Sequence, residues 1–156
     1  MKSFLLNSDY KPIIQWGKLP KNVYFQGAIP GGMHLACSPS DNIVIVDIDK
    51  KLGKNGFEHI PLHIFKELES SFYYNTKSGG AHCFIKYTGN KILKNMSTEK
   101  GIDLRIAAKG TNCGGYVRWQ GNIRPEECLH LIKESSKDLN VWLENLFSNK
   151  INQNEL

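Results

Sequence analysis

The chain has 156 residues, 40% hydrophobic and 22% charged, values ordinary for one soluble globular domain with a buried core. It carries no apolar run of membrane-spanning length and no signal peptide, since Phe4-Leu5-Leu6 is far too short, so the cytoplasm is the expected location. The formal charge of +5 leans toward a polyanionic partner.

Pro12, Trp16-Gly17, Pro20, Gly27 and Pro30-Gly31-Gly32 mark residues 1–32 as a loop-rich entry segment. Residues 33–37 form a short strand, with His34 a packing residue. The turn Ser38-Pro39-Ser40-Asp41-Asn42 is expected to pair that strand antiparallel with the next. That next strand, Ile43-Val44-Ile45-Val46-Asp47-Ile48-Asp49, is a β-branched run of the kind buried at the centre of a sheet. Alternation puts Asp47 and Asp49 on one face and Ile48 on the other. Two neighbouring carboxylates repel, and a divalent cation with oxygen ligands is the usual remedy. The plain alternative is a strand end that faces water.

A basic loop with glycines follows (Lys50, Lys51, Gly53, Lys54, Gly56), then a helix over residues 62–70 with Ile64, Phe65 and Leu68 as its apolar stripe. His59 and His63 stand four apart, but Pro61 breaks the helix that such a metal-binding pair needs, so both are assigned to the surface. Residues 72–76 and 81–87 read as two strands joined by Lys77-Ser78-Gly79-Gly80. A turn with so little bulk lets a phosphate approach backbone N–H groups, and His82 follows it directly. Residues 89–100 read as a lysine-bearing solvated loop. In the strand over residues 101–106, Asp103 and Arg105 share a face, either as an ion pair or as a metal ligand beside an arginine for an anionic substrate.

Lys109 opens another glycine-rich turn, and residues 116–119 form a further strand. From Arg124 onward the pattern is helical: Pro125 at a first turn, Glu126 and Glu127 where the helix dipole favours acids, then Leu129 and Ile132. Leu139, Trp142, Leu143, Leu146 and Phe147 make a strong amphipathic helix for the back of the sheet. Residues 149–156 are expected to fray. The cysteines Cys37, Cys83, Cys113 and Cys128 form no CxxC or CxxH pair, which favours reduced thiols over a zinc site. Together these features describe an α+β fold, a mostly antiparallel sheet with helices on one face and a carboxylate cluster drawn from two strands.

Three segments in order carry a resemblance: Val46-Asp47-Ile48-Asp49, then Ser78-Gly79-Gly80-Ala81-His82, then Ile102-Asp103-Leu104 with Gly114-Gly115-Tyr116-Val117 after it. They resemble the hDhD, small-x-His and hydrophobic-flanked acid motifs of the bifunctional primase/polymerase (prim-pol) domains of the archaeo-eukaryotic primase superfamily, found on plasmids, phages and other mobile elements. The resemblance implies an RRM-like catalytic sheet over residues 33–120 within a single domain of residues 1–150, with C-terminal helices over residues 124–148. It implies Asp47, Asp49 and Asp103 as catalytic ligands of Mg²⁺ or Mn²⁺. His82, Arg105 and the Ser78-Gly79-Gly80 turn would hold a nucleoside triphosphate, and Lys50, Lys51, Lys54 and Lys109 would lie along a DNA template and primer. The Pro-Pro-Ser that often follows the Gly-Gly-Tyr-Val strand is replaced by Arg118-Trp119-Gln120-Gly121-Asn122. No helicase domain, zinc module or sizeable helper domain for starting primers is read in the sequence, so extension of an existing primer is the expected activity, beside a separately encoded helicase. Two other readings use the same residues: a metal-dependent nuclease or phosphotransferase, and a non-catalytic module that holds single strands.

Overall fold

The computed structural model describes residues 1–107 and 114–148. In chain order the elements are β1 (Lys2–Leu6), β2 (His34–Ser38), β3 (Ile43–Ile48), the small pair β4 (Lys50–Lys51) and β5 (Lys54–Asn55), and α1 (Leu62–Ser70). They continue with β6 (Tyr73–Asn75), β7 (Ala81–Lys86), β8 (Met96–Ser97), β9 (Ile102–Arg105), β10 (Val117–Arg118), β11 (Lys133–Glu134) and α2 (Lys137–Phe147). The fold is α+β with mostly antiparallel sheets. Among the described residues no helix is long and apolar enough to cross a membrane.

β3 lies inside a six-stranded sheet ordered β11-β7-β3-β9-β8, with β6 also paired to β7. Its β-branched run suits that place, because both of its edges are paired and both of its faces are largely covered. On one face Val44, Val46 and Ile48 meet Ile64 and Leu68 of α1 and Leu139, Leu143 and Phe147 of α2. Both helices therefore cover the same side. On the other face Ile43, Ile45 and Phe84 are buried against Leu35, Cys37, Val117 and Trp119, which belong to or adjoin a second, three-stranded sheet ordered β1-β2-β10. Each fully buried aliphatic or aromatic side chain contributes about 1.5–3 kcal/mol. The helices, the large sheet and the small sheet form three layers.

Helix α1 occupies residues 62–70, and the strands around the Ser-Gly-Gly turn form the antiparallel hairpin that its glycines suggest. Three expectations are corrected. Residues 1–32 are not only loop, since the apolar run through Phe4, Leu5 and Leu6 forms β1 and is buried along its whole length. β2 does not pair with β3: its edges are taken by β1 and β10, while those of β3 are taken by β7 and β9. The 38–42 connection, with Asp41 at φ 55°, carries the chain from one layer to the other instead of closing a hairpin. The small sheet is thus separate from the catalytic sheet expected over residues 33–120.

The third correction concerns residues 124–135. They hold two 3-10 turns, Pro125–Glu127 and Leu129–Leu131, and then β11, which adds parallel to the edge of β7. Leu129 and Ile132 alone do not make a stripe long enough to hold a helix against the sheet. One helix follows, capped by Ser136, whose Oγ accepts the N–H of Leu139 at 3.1 Å. Glu67 of α1 accepts the backbone N–H of Ser136 at 2.8 Å, which ties the two helices together.

Candidate functional site

The register of the large sheet assembles the site. Asp47 of β3 stands opposite His82 of β7 and, on its other side, opposite Asp103 of β9. Tyr74 of β6 is opposite His82, and Ser97 of β8 is opposite Asp103. Tyr74, His82, Asp47, Asp103 and Ser97 therefore form one lateral row across five strands. The row lies on the face turned away from the helices. Two residues along, Phe84, Ile45 and Arg105 form the next row, and there the small sheet covers Phe84 and Ile45. The carboxylates sit where that cover ends.

Directly opposed carboxylates are unfavourable. Cβ atoms stand about 5 Å apart in such a pair, and at an effective dielectric near 20 two unit charges at that distance repel by about 3 kcal/mol. That exceeds the roughly 0.2–1 kcal/mol of a good cross-strand pair. Each acid has a local counterpart. Asp47 Oδ1 is 3.3 Å from Nε2 of His82, whose side chain is 7% exposed. Asp103 Oδ2 is 3.4 Å from Nη2 of Arg105, and its Oδ1 accepts the N–H of Thr98 at 3.3 Å. Of the two roles open to Arg105, the ion pair with Asp103 is formed, and it runs along β9 between residues two apart.

Asp49 continues the alternation beyond the end of β3, where its backbone N–H donates to the carbonyl of Gly101 at 2.8 Å. Partial burial, followed by the negative charges of Asp47 and Asp103, holds its carboxyl above the usual range, and Lys51 and Lys54 oppose that shift. Asp49 thus feels the negative charges of Asp47 and Asp103. Their oxygen donors are of the kind that Mg²⁺ and Mn²⁺ take. Among the described residues no group of three or more His, Cys, Asp or Glu side chains is arranged to hold a metal ion. The acids share a face without closing into a cage.

The Ser-Gly-Gly turn packs on the end of β3. A Cβ at Gly80 would run into the carbonyl oxygen of Ile48, so only glycine lets the hairpin close there, and Gly79 takes φ 96°. As a phosphate cradle the turn has fewer donors than its sequence suggests. The N–H of Lys77 donates to Oε1 of Gln120 at 2.8 Å, and that of Gly79 donates to the carbonyl of Thr76 at 3.0 Å. Ser78 remains exposed, its Oγ 3.1 Å from Oγ1 of Thr76.

Lys50, Lys51 and Lys54 lie on the β4–β5 hairpin directly after Asp49. With Lys100, Ser78 and Asn55 they line a cleft of about 710 Å³, into which Glu58 and Glu99 also face. The sheet brings these loops together because the end of β3 and the starts of β7 and β9 lie at the same edge. Lys109 lies outside the described residues. His34 packs against Tyr10, with ring centroids 4.5 Å apart, and His59 and His63 are exposed. Cys83 and Cys128 are buried, and burial pushes both thiols up to about 12, so neither is a thiolate at neutral pH.

Two residues at the site escaped the sequence reading. Thr98 comes from a segment read as solvated loop. Tyr74 places its hydroxyl 2.6 Å from Nδ1 of His82. Counting outward from a turn at residues 77–80 pairs residue 75 with residue 82, whereas the strand ends at Asn75 and the register pairs Tyr74 with His82. No protein-family model matches the chain, and no curated protein matches it.

Proposed function

We propose that this protein is a metal-dependent nucleotidyltransferase, a primase/polymerase of the prim-pol kind from a phage or plasmid replication system, which adds nucleotides to a template-bound 3′ end. One observation carries the reading: Asp47 and Asp103, distant in the chain, stand side by side in one row with His82, and Asp49 is electrostatically coupled to both. The motif resemblance supports it independently, and the RRM-like description of the large sheet rests on that resemblance. Asp47 and Asp103 would hold Mg²⁺ or Mn²⁺, with Asp49 entering from the same face. An ion held there would supply positive charge to lower the pKa of an attacking hydroxyl and to offset charge on the leaving pyrophosphate.

The chain's own residues do the rest. Arg105, about a quarter exposed, has guanidinium donors to spare beyond its contact with Asp103 and directs them at phosphate oxygens. His82 offers Nε2 from the same row. The lysine-lined cleft next to Asp49 takes the phosphodiester backbone of template or primer, where charge neutralisation and counterion release drive binding.

The test is a labelled primer on a DNA template, incubated with Mg²⁺ or Mn²⁺ and either dNTPs or NTPs. Lengthening of the primer supports the assignment. Shortening replaces it with a nuclease using the same carboxylates, and an unchanged primer that nonetheless stays bound leaves only a single-strand-binding module.

A further inference from the structure

We infer that Leu52, at the tip of the β4–β5 hairpin, is an apolar wedge that packs against the bases where a template strand leaves its primer duplex. This role rests on the proposed function, in which the lysine-lined cleft beside Asp49 carries the nucleic acid.

Nothing in the fold calls for leucine at this position. Leu52 and Gly53 form the turn between Lys51 and Lys54, which pair across the hairpin. Gly53 takes φ 78°, so glycine is what the turn needs there, and a polar neighbour is usual. Leu52 is instead fully exposed, more so than any other large hydrophobic side chain among the described residues. Single exposed apolar groups are common, so exposure alone assigns nothing. What distinguishes Leu52 is where it is held. The base of the hairpin is bonded to the strand end that carries Asp49: the N–H of Gly56 donates to the Asp49 carbonyl at 2.8 Å. The stems of Lys50 and Lys54 lie beside Gly79 and Gly101, within 4 Å of where a Cβ on each would stand. Around the turn itself the space is open, with nothing beyond its chain neighbours within 4 Å of where a Cβ on Gly53 would stand. A seated base thus carries an apolar tip into solvent.

Charge selects the occupant. Lys50, Lys51, Lys54 and Lys100 line the same cleft as Leu52, together with Glu58 and Glu99. Among the described residues none of these four lysines has a carboxylate within 4 Å. Unpaired cations around an exposed apolar side chain suit a polymer with an anionic backbone and apolar base faces. Distance then limits which bases are met. Leu52 lies three residues beyond Asp49, and three residues of strand span about 10 Å. That is about three base steps at roughly 3.4 Å each. A fully stacked step must open before a side chain can enter it. At a primer–template junction the first unpaired template base has less stacking to lose, and the terminal pair supplies a fixed wall opposite it. Covering Leu52 there removes from water an apolar surface that the free protein leaves wet.

The test compares the wild type with Leu52→Ser and Leu52→Phe on three DNAs: a primer–template junction, a blunt duplex and a single strand. 2-Aminopurine at the first, second or third unpaired template position reports unstacking by a rise in fluorescence. Without nucleotide or metal, the wild type is expected to prefer the junction and to raise the signal at one of these positions. In Leu52→Ser the ratio of junction to single-strand affinity should fall about tenfold, the scale of covering roughly half a leucine side chain. The fluorescence rise should vanish with it, and Leu52→Phe should restore both. Circular dichroism confirms that each variant is folded, as expected for a change at a fully exposed side chain. Three outcomes overturn the wedge: Leu52→Ser keeps the junction preference, it weakens binding to all three DNAs alike, or the wild type binds none of them. If the wild type extends primers and Leu52→Ser matches it in every binding measurement, the proposed function stands without the wedge. If junction binding depends on Leu52 but no primer is extended, the wedge stands and the proposed function falls.

Discussion

The two faces of β3 are built from alternate residues of one six-residue strand, and they solve opposite problems. On the helix side Val44, Val46 and Ile48 are buried among apolar side chains, and every contact there favours the folded state. On the other side Ile45 is buried under the small sheet, but Asp47, two residues on, stands beside a second acid with a third close by. That side sacrifices stability to gather negative charge. The contrast teaches that apolar packing on the helix side and on the covered part of the other side stabilises the sheet, which leaves the uncovered end of that other side able to hold a repulsive arrangement.

The largest effects should separate the faces completely. Asp47→Asn or Asp103→Asn is expected to abolish nucleotide incorporation while the melting temperature stays level or rises, because each removes a repelling charge. Primer extension and thermal unfolding on the same preparations check this, and a variant that incorporates normally would remove its acid from the proposed metal site. Leu104→Ala, next to Asp103 on β9 but pointing to the helices, should do the reverse. It should lose about 2–5 kcal/mol of stability, measured by urea unfolding, and still extend primers at low temperature. A loss of activity out of proportion to unfolding would show that the two faces are not separable.

How much of this contrast could be read in advance depends on which interactions are local. The β-branched run before Asp47 announces a buried strand, and Ser78-Gly79-Gly80 announces a hairpin, because strand propensity and glycine turns act over a few residues. The Asp103–Arg105 pair follows from alternation alone. The layer to which β2 belongs does not. A short connection between two short strands looks like a hairpin, and only the competition of β1, β7, β9 and β10 for strand edges decides otherwise. The same cause hid the Gln120 contact with Lys77, since it depends on where the segment after β10 rests. The carboxylate row lay between these extremes: its members were legible as residues, and their adjacency required the register.

Smaller effects sharpen the comparison at the boundary between acids and lysines. Replacing Lys51 and Lys54 together by glutamate should weaken DNA binding. If both contact phosphates, the slope of log K against log salt should lose about one unit per lysine, as seen by fluorescence anisotropy over a salt series. An unchanged slope would place the nucleic acid elsewhere than the cleft. The double change should leave α1 and α2 untouched, since neither lysine is buried.

The smallest effect concerns Asp49, whose carboxyl is held above its ordinary value of 3.8 by burial and by its two acidic neighbours. A folded-state value raised above the unfolded one means that the folded protein holds this proton more tightly. Its contribution to stability is full below the unfolded value and is lost as pH rises through the folded value. At neutral pH wild-type Asp49 is ionised against its surroundings, whereas Asp49→Asn is not. The variant should therefore melt about a degree or two higher at neutral pH, a small effect because solvent still reaches the group and screens it. The gap should close as pH falls below the ordinary carboxylate value, where both side chains are neutral. Millimolar Mn²⁺ should reverse the order at neutral pH, because a cation bound by the folded state alone stabilises it and the wild type has the better donor. A variant that stays more stable than wild type at every pH and with Mn²⁺ would place Asp49 on the stability side of the comparison, as a poorly solvated strand end with no part in holding an ion.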